Sequence, residues 1–481
     1  MAEVTTLWPH QAAGVEYALG KMPGGAGLFF EQRTGKTRTA IETCKRLGAR
    51  RVLVLCPSQV GAVPKVWVDE LAAQWPDSPR VVNLTGTGQQ RARLLTTLGV
   101  RAAVVICNYE SAWRTPLAAA ILAQQWDVLV ADELHKVKAS RGKAQGFVAA
   151  LARLIPNRLG LTGTPIPHSP LDVWGQYEIL DETIFGSSFV RFRLRYSRPA
   201  LASERGDRDT YMTPGQGGKL TRWKFQNLGE LHDKMYAIAT RVLMADVFPD
   251  LPPETDEVRL VDLEPSALRV YQEMDKNFTA SVRNGITTAG NAGIKMLRLQ
   301  QITGGTIPIT DELYDEEILS RRDKNGRSVE VVSTAKETLL REMLEDMDEP
   351  VVVFGRFHSD LDAIHRAAEA AGRTASELSG RAHGLDAWQT GETDVLVAQL
   401  QAGGVGINLT RAAVTIYFAT GVSLSDYVQS RSRTLGPMQT RPTTFYHLLA
   451  ERTIDGLVYR ALRERADVVA SVVDAVRHGV D

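Results

Sequence analysis

The sequence predicts an α/β protein with two lobes, each a parallel sheet flanked by helices, and with helical insertions between the lobes. Its 481 residues exceed what one hydrophobic core usually serves, so two or three domains are expected. Two sets of short, near-continuous apolar runs alternate with helix-length segments, which is typical of parallel strands covered on both faces. A central stretch without this rhythm separates the two sets.

The two sets of apolar runs place the strands. The first set is RVLVLCP, AAVVICNYE, WDVLVADE and NRLGLTGTP, at 51–57, 102–110, 126–133 and 157–165. The second set is EPVVVFGRF, TDVLVAQLQ, AVTIYFA and TTFYHLLA, at 349–357, 393–401, 413–419 and 443–450. We therefore expect a first lobe over 1–180, inserted helices and the interlobe connection over 181–335, and a second lobe over 336–481.

Composition favours a globular, soluble protein. Hydrophobic residues make up 44% and charged residues 23% of the chain, unlike a disordered sequence. No apolar run approaches the roughly 20 residues that span a bilayer, and the N-terminus lacks a signal-peptide pattern, so a cytoplasmic location is expected. Cys44, Cys56 and Cys107 lie far apart in segments that predict helix or strand, which favours buried core residues over a disulfide or zinc site.

Charge is balanced overall but uneven along the chain. The formal net charge is zero, yet nine Lys or Arg against three Asp or Glu lie between Arg191 and Lys224. Arg191, Arg193 and Arg195 lead this basic segment, and aromatic residues are interleaved with it. The segment is a candidate contact for nucleic-acid phosphates, although such a run is also typical of a solvated face.

The segment Glu31–Thr37, EQRTGKT, ends like a phosphate-binding loop. GLFF before it predicts a strand and RTAIETCKRLG after it predicts a helix, which is the order such a loop requires. Backbone N–H groups at the helix start would surround the phosphate, Lys36 would neutralise it, and the Thr37 hydroxyl would ligate Mg²⁺. The match is incomplete because Phe30 stands where the first glycine belongs, so an ordinary turn with a solvated lysine is the alternative.

Two further strand ends carry polar residues. Ligands of open parallel sheets lie at the carboxyl ends of strands. Asp132 and Glu133 end one strand, where the first can hold Mg²⁺ and the second can polarise an attacking water. Thr162 and Thr164 end another, where they can accept hydrogen bonds from the Asp-Glu motif. A plain turn is the alternative for the threonine pair.

The second lobe contributes a glycine-rich strand end and an arginine segment. QAGGVGINLT, residues 401–410, permits close approach of backbone to phosphate. DYVQSRSRTLG, residues 426–436, presents Gln429, Arg431 and Arg433. An arginine that reaches a γ-phosphate stabilises transition-state charge. A solvent-facing basic helix is the alternative.

Taken in order, these motifs resemble those of the superfamily-two helicases, and most closely the SWI/SNF-like branch of DNA translocases. The resemblance extends from about residue 7 to 465 and rests on LWPHQAAGVEYAL, EQRTGKT, VLVLCPSQV, VVICNYES, VADELHKVK, LGLTGTPIPHSPLDVWGQYEIL, VVVFGRF, VLVAQLQAGGVGINLT and QSRSRTLGPMQTRPTTFYHLLAERTID. Sequence segments typical of this branch include VFPDLPPET and MLRLQQITGG.

The resemblance implies two RecA-like lobes that close on ATP and Mg²⁺, with DNA running across both. Nucleotide binding is then expected from Gln11 at the adenine, and from Thr34, Gly35, Lys36, Thr37 and Gly406. Asp132 would hold the metal with Thr37, Glu133 would activate water, and Arg433 would be the arginine finger. His135, Thr162, Thr164 and Gln429 would couple the motifs. The backbone around five further residues would lie near DNA phosphates or the interlobe cleft: Tyr109, Gly163, Arg356, Gly404 and Asn408.

The chain departs from the family pattern at two positions. The family usually has Gly where Arg33 stands, and usually a second Arg where Gly436 aligns. Backbone N–H groups build the phosphate cradle, so Arg33 need not block it. We hypothesise that Arg431 substitutes for the missing arginine.

The predicted function is an ATP-driven translocase that tracks duplex or branched DNA as a monomeric, near-minimal motor without a membrane partner. A strand-separating helicase is the close alternative. A DNA-binding scaffold with a decayed motor, marked by Arg33 and Gly436, is the third.

Overall fold

The structure, a computed structural model, describes residues 6–57, 62–138, 142–166, 169–204, 210–214, 220–277, 279–282, 285–288, 292–308, 329–401 and 407–474. Contacts between Cα atoms divide the chain into two compact units. Unit 1 comprises residues 1–249 and 465–481, and unit 2 comprises residues 250–464. The division at residue 249 falls inside the segment predicted as inserted.

Unit 1 is built on a parallel sheet. Its described strands are β1 (Gly24–Phe30), β2 (Arg51–Cys56), β3 (Arg80–Asn83), β4 (Ala103–Asn108), β5 (Val128–Asp132), β6 (Asn157–Leu161), β7 (Ser197–Pro199), β8 (Thr210–Pro214), β9 (Leu220–Phe225) and β10 (Ala239–Val242). The main sheet has the order β10-β1-β6-β5-β2-β4-β3, and its neighbours pair in parallel. A small antiparallel sheet has the order β7-β9-β8.

Helices surround this sheet. They are α1 (Pro9–Gly20), α2 (Lys36–Arg46), α3 (Ala62–Gln74), α4 (Gly88–Leu98), α5 (Tyr109–Ala112), α6 (Leu117–Leu122), α7 (Lys143–Ala152), α8 (Val173–Leu180), α9 (Glu182–Phe185), α10 (Phe189–Tyr196), α11 (Leu228–Tyr236) and α12 (Met244–Val247). Leu53, Val105 and Leu129 on the strands are fully buried in the core beneath them. Strands covered on both faces explain the near-continuous apolar runs.

The order of the unit 1 sheet brings three motif-bearing strands together. β1, β6 and β5 are consecutive neighbours, although they are far apart in sequence. Leu28 of β1 pairs in register with Leu161 of β6, which pairs in turn with Asp132 of β5. Because the three strands are parallel, the loops that follow them lie at the same edge of the sheet.

Unit 2 repeats this architecture. Its described strands are β11 (Glu254–Val261), β12 (Thr279–Val282), β13 (Gly285–Thr288), β14 (Thr306–Pro308), β15 (Val329–Val331), β16 (Val351–Gly355), β17 (Ala375–Leu378), β18 (Val395–Gln399), β19 (Val414–Tyr417) and β20 (Thr443–Ala450). The main sheet has the order β11-β20-β19-β16-β18-β17 and is parallel throughout. β12 pairs with β13 and β14 with β15, both antiparallel.

The helices of unit 2 follow the same alternation. They are α13 (Pro265–Asn277), α14 (Ala292–Thr303), α15 (Ala335–Glu345), α16 (His358–Ala370), α17 (Leu385–Thr390), α18 (Leu424–Thr434) and α19 (Ile454–Asp474), which continues past residue 464 into the stretch assigned to unit 1. Val351, Val397 and Ile364 are fully buried between sheet and helices. The predicted α/β class, with parallel sheets flanked by helices, is therefore confirmed for both units.

Each of the eight apolar runs named above contains an observed strand. The central segment differs from expectation because it is not only helical. β10 joins the unit 1 sheet and β11 joins the unit 2 sheet, while β7, β8 and β9 form a layer of their own. These strands are polar or edge-positioned and so lack the continuous apolar signal of buried strands. The three cysteines are buried as predicted, and no helix in the described ranges is long and apolar enough to cross a membrane.

Candidate nucleotide site

The loop between β1 and α2 has the conformation of a phosphate cradle. Gly35 is the N-cap residue of α2 and has φ 85°, so its left-handed backbone aims the first N–H groups of the helix outward. A Cβ atom at this position would lie 2.0 Å from Nε2 of Gln11, so Gln11 would have to shift. The left-handed φ is therefore the main reason that glycine is favoured here.

Arg33 occupies a backbone position that favours glycine. Its φ of 65° lies in the left-handed region, which costs an ordinary residue about 1 kcal/mol. Burial lowers the pKa of its guanidinium to about 10. The backbone path expected of the family's glycine is thus kept with an arginine in its place.

Lys36 lies folded across the loop. Its Nζ donates hydrogen bonds to the carbonyl oxygens of Phe30 and Glu31 at 2.9 and 3.2 Å, and the residue is only 9% exposed. Thr34 supports the loop by donating its hydroxyl to the Glu31 carbonyl at 2.7 Å. Thr37, half-buried, is the second residue of α2. A phosphate can therefore replace carbonyl oxygens as the partner of the ammonium group.

Helix α1 borders the loop. Gln11 is 3% exposed, and its Oε1 accepts a hydrogen bond from the backbone N–H of Trp8 at 3.0 Å. Nε2 of His10 lies 2.8 Å from the carbonyl oxygen of Thr34. The start of α1, which carries Gln11, is therefore linked to the loop by the contact between His10 and Thr34.

Asp132 is a buried carboxylate at the end of β5. Its Oδ2 accepts a hydrogen bond from Nε1 of Trp67, and its Oδ1 accepts one from the N–H of Glu133, both at 2.9 Å. Burial and the neighbouring Glu133 raise the pKa of Asp132 to about 6, while Trp67 and Lys36 act in the opposite direction. A divalent cation would favour the ionised form in this position.

Glu133, His135 and the threonine motif form a connected group. Nδ1 of His135 lies 3.3 Å from Oε2 of Glu133 and 2.9 Å from the hydroxyl of Thr162. The same hydroxyl accepts the backbone N–H of Thr164 at 3.1 Å. All four residues are buried. The predicted coupling residues of this unit are thus brought together with the predicted water-activating carboxylate.

Sequence reasoning missed the role of Trp67 and of the Tyr109 side chain. Trp67 lies on α3 and is 2% exposed, and its only distinguishing signal is its place in an amphipathic helix. Tyr109 was expected near DNA through its backbone. Its buried hydroxyl donates to the carbonyl oxygen of Asp132 at 2.9 Å. Both side chains support the predicted metal ligand.

The end of unit 1 is also tied to the cradle. Oε2 of Glu31, the first residue of the loop, accepts the backbone N–H of Met244 at 2.6 Å. The ring of Phe248 meets that of Trp8 edge-on, with centroids 5.0 Å apart. The first residues of α12 are therefore held by the same segment that forms the phosphate loop.

Unit 2 carries the predicted arginine finger. Arg433 lies in the last turn of α18 and is 3% exposed, and Gln429, one turn earlier, is 2% exposed. Gly406 and Gly404 lie outside the described residues. Gly436, where the family has a second arginine, has φ 139°, a conformation that strains other residues.

Arg431 does not share the environment of Arg433. Two residues apart on a helix, their side chains diverge by about 200°. Arg431 pairs with Asp256, pairs with Glu254 at 2.9 Å and lies 3.9 Å from the ring centroid of Phe445. Its charge is compensated within unit 2, which disfavours the hypothesis that it substitutes for a second γ-phosphate arginine.

The other predicted nucleic-acid residues lie on three surfaces. Arg356 follows β16 and is half-buried beside Gln300. Asn408 Oδ1 accepts hydrogen bonds from the N–H and hydroxyl of Thr410 at 3.1 and 2.8 Å. Arg193 of α10 lies 4.8 Å from the ring centroid of Trp223.

The rest of the α10 surface is partly compensated. Arg191 is exposed. Arg195 is paired with Glu230, whose pKa is lowered to about 2 by its bonds to Arg195 and Lys234. The positive field of this surface therefore comes from Arg191 and Arg193 more than from Arg195.

Comparison with protein families matches residues 10–304 to the SNF2-related domain and residues 316–435 to the helicase conserved C-terminal domain. The chain is 25% identical to protein p41 of Acyrthosiphon pisum secondary endosymbiont phage 1, over 92% of this chain and 93% of that protein.

Two mouse relatives are longer. The chain is 23% identical to the DNA excision repair protein ERCC-6-like of Mus musculus, over 94% of this chain and 41% of that protein. It is 23% identical to the DNA annealing helicase and endonuclease ZRANB3 of Mus musculus, over 98% and 41% respectively. The chain thus spans less than half of each mouse protein. Among solved structures, the SWI2/SNF2 ATPase core of Sulfolobus solfataricus in complex with dsDNA covers 99% of this chain and 94% of its own, at 19% identity and a TM-score of 0.44.

Proposed function

The chain belongs to the SNF2-related family and is of the DNA-dependent ATPase type of superfamily two, and from this premise we propose that it hydrolyses ATP to translocate along duplex or branched DNA. The observation that carries the proposal is the edge of the unit 1 sheet. There, three adjacent parallel strands end side by side: β1 leads into the loop before Lys36, β5 ends at Asp132 and Glu133, and β6 ends before Thr162. This is the set of groups that phosphoryl transfer to water requires.

The cradle residues would bind the nucleotide. The start of α2 would offer backbone N–H groups to the β-phosphate, and the left-handed Gly35 at its N-cap supports this arrangement. Lys36 would exchange the carbonyls of Phe30 and Glu31 for phosphate oxygens. Gln11 would contact the adenine. Thr37 and Asp132 fit Mg²⁺ because they offer a hydroxyl and an oriented carboxylate, and the ion supplies charge neutralisation when bound.

Glu133 would orient and deprotonate the attacking water. Its carboxylate is buried and lies beside His135, which in turn contacts Thr162. A change at the γ-phosphate that moves Glu133 would therefore reach the β6 loop through two contacts. We assign the stabilisation of negative charge in the transition state to Arg433 alone, since Arg431 is paired with Glu254 and Asp256.

DNA would be bound through phosphates and without base sequence preference. The residues that support this are Arg356 and Asn408 of unit 2 and Arg191 and Arg193 of unit 1. Replacing Arg191 and Arg193 with Ala should weaken DNA binding and reduce its salt dependence. An unchanged salt slope would remove α10 from the DNA surface.

The test is ATP hydrolysis by wild type and by Glu133→Gln without nucleic acid and with single-stranded DNA, duplex DNA, branched DNA and RNA. We expect stimulation by duplex or branched DNA, and a loss on the order of a hundredfold or more in Glu133→Gln with DNA binding retained. Glu42→Gln on α2, which pairs with Arg46, makes the same chemical change away from the site and serves as the control.

Movement requires a second measurement, the displacement of a third strand from a DNA triplex. Displacement that needs ATP and is lost in Glu133→Gln supports the translocase. Stimulation by single strands alone would favour the strand-separating helicase. Absence of hydrolysis under every condition would overturn the proposal and leave a DNA-binding scaffold.

A further inference from the structure

Arg356 is held by its neighbours in unit 2. Oδ2 of Asp360, on the first turn of α16, accepts the backbone N–H groups of Arg356 and Phe357, each at 2.9 Å. The guanidinium lies 5.0 Å from the ring centroid of Phe357. The main chain that carries Arg356 is therefore fixed by a carboxylate, and its side chain by an aromatic face.

Gln300 of α14 holds the guanidinium itself. Its Oε1 accepts a hydrogen bond from Nη1 of Arg356, and its Nε2 donates to the carbonyl oxygen of Thr420 at 3.0 Å. Gln300 is 4% exposed. Because the carbonyl oxygen of Thr420 can only accept and the guanidinium of Arg356 can only donate, the amide must turn its nitrogen to Thr420 and its oxygen to Arg356. The orientation of Gln300 is thus set by a third residue.

Gly304 allows this close packing. A Cβ atom at Gly304 would lie 2.6 Å from Oδ1 of Asp360. At Gly304 a side chain would collide with the carboxylate that positions Arg356. The surroundings of Arg356 are therefore built closely around it rather than left open to rearrangement.

We propose that Gln300 and Asp360 are positioning residues that hold Arg356 as a preformed arm for a nucleic-acid phosphate. The inference rests on the proposed function and adds to it the groups that order one DNA contact. A guanidinium has five N–H donors in a rigid fork, so one bond to Gln300 orients it and leaves donors for a phosphate. Ordering the side chain beforehand removes an entropic cost from binding.

The neutrality of Gln300 is essential to this role. An amide oxygen orients the guanidinium without adding a negative charge to those of Asp360 and Asp426, which already act on Arg356. A carboxylate in the same place would pair with the positive charge of Arg356 and cancel it. Gln300→Glu, which keeps the shape and one acceptor, therefore separates orientation from charge.

The experiment measures duplex DNA affinity of the full chain against salt concentration for wild type, Gln300→Glu, Arg356→Ala and Gln301→Glu. We expect Gln300→Glu and Arg356→Ala each to lose the contribution of one phosphate contact, about 0.9 in the slope of log affinity against log salt. Gln301→Glu makes the same change one residue away, where Gln301 contacts Arg298 rather than Arg356. It should keep a slope closer to that of wild type.

A second pair of variants keeps the test informative if Gln300→Glu folds poorly. Asp360→Ala removes the acceptor for both backbone N–H groups, whereas Asp360→Asn retains one. We expect Asp360→Ala to raise the DNA concentration that half-saturates ATP hydrolysis, with kcat at saturating DNA changed much less, and Asp360→Asn to restore the wild-type value. A purely structural role would not give this split or this rescue.

Two outcomes would overturn the inference, and they are distinguishable. If wild type binds DNA and Gln300→Glu has the affinity and slope of wild type or of Gln301→Glu, Gln300 does not position Arg356. If wild type binds no nucleic acid at all, the proposed function fails, and the phosphate arm fails with it.

Discussion

At the scale of the residue, the predicted metal ligand depends on a side chain from another element. Trp67 donates its indole N–H to Asp132, and Tyr109 donates its hydroxyl to the carbonyl of the same residue. Such partners fix the orientation of a ligating carboxylate and contribute to metal affinity. Trp67 is therefore expected to act on Mg²⁺ binding without touching the nucleotide.

Trp67→Phe removes the N–H donor and keeps the aromatic packing. We expect the Mg²⁺ concentration that half-saturates ATP hydrolysis to rise about tenfold. Trp126→Phe is the matched control, because Trp126 also donates its indole N–H within unit 1, to the carbonyl of Ile121. Equal Mg²⁺ dependence in the two variants would show that the Trp67 bond has no part in metal binding.

Asp360 predicts a pH dependence of stability. It is fully buried, and burial raises its pKa to about 6, against the backbone N–H bonds from Phe357 and Arg356 and the charges of Lys336 and Arg356. The folded pKa thus exceeds the unfolded value of about 3.9, so the folded state binds more protons between these values. The contribution of Asp360 to stability is therefore largest at low pH and is lost as the pH rises to about 6.

Asp360→Asn removes this titration and keeps an acceptor for the backbone. We expect the free energy of unfolding of unit 2 to increase by about 1–2 kcal/mol at pH 8 and by about half as much at pH 5, because pH 5 lies midway between the unfolded and folded pKa values. Urea unfolding followed by circular dichroism at both pH values measures the difference. A destabilised variant at pH 8 would contradict the expected direction of the pKa shift.

At the scale of the element, helix α18 separates two arginines by function. Arg431 lies among Asp256, Glu254 and Phe445, and Asp256 also accepts from His447 and Arg463. Although burial alone would raise it, bonds from His447 and Arg431 hold the pKa of Asp256 below its usual value. This face of α18 therefore fastens the helix to edge strand β11.

Arg431→Ala should accordingly lose mainly stability, and Arg433→Ala should lose mainly ATP hydrolysis. Removing Arg431 leaves Asp256 with less compensation, and we expect the free energy of unfolding of unit 2 to fall by about 3 kcal/mol. Well below its melting temperature this variant should retain most of its hydrolysis rate. Arg433→Ala should lose hydrolysis by on the order of a thousandfold. If the two variants lose hydrolysis equally, Arg431 serves the γ-phosphate after all.

At the scale of the whole molecule, the two units differ in tryptophan content. The chain has eight tryptophans, and Trp388 is the only one within residues 250–464. Tryptophan emission therefore reports almost entirely on unit 1, whereas circular dichroism reports on both units. The difference makes the stability of each unit measurable in the intact chain.

We expect the urea transitions seen by fluorescence and by circular dichroism not to coincide, because each unit has its own core. ATP with Mg²⁺, at about 100 times its dissociation constant, should stabilise unit 1 of the Glu133→Gln variant by about 2.7 kcal/mol. Trp388→Phe should leave the fluorescence transition in place. Coincident transitions would mean that the units unfold as one.

The amino-acid sequence alone was enough to predict the α/β class, the positions of nine strands and the residue types of the candidate site. These follow from local signals: apolar runs of strand length, a loop between strand and helix, and polar residues directly after strands. The hypothesis that Arg431 replaces the missing arginine rested on its spacing from Arg433 along one helix. Such spacing does not reveal which residues of other elements contact the side chain. The residue roles at the site remain proposals.

Which of the motif-bearing strands and helices become neighbours is seen only in the folded protein. The order β1-β6-β5 brings the cradle, Asp132 and Thr162 to one edge of the sheet. Trp67 reaches Asp132 across 65 positions of sequence, and Arg431 reaches Asp256 across 175. Such contacts arise because helices and strands pack side by side in an order that local periodicity does not encode. A hydrophobic pattern specifies which face of a helix or strand is buried. Which neighbouring element covers that face depends on how the whole unit packs.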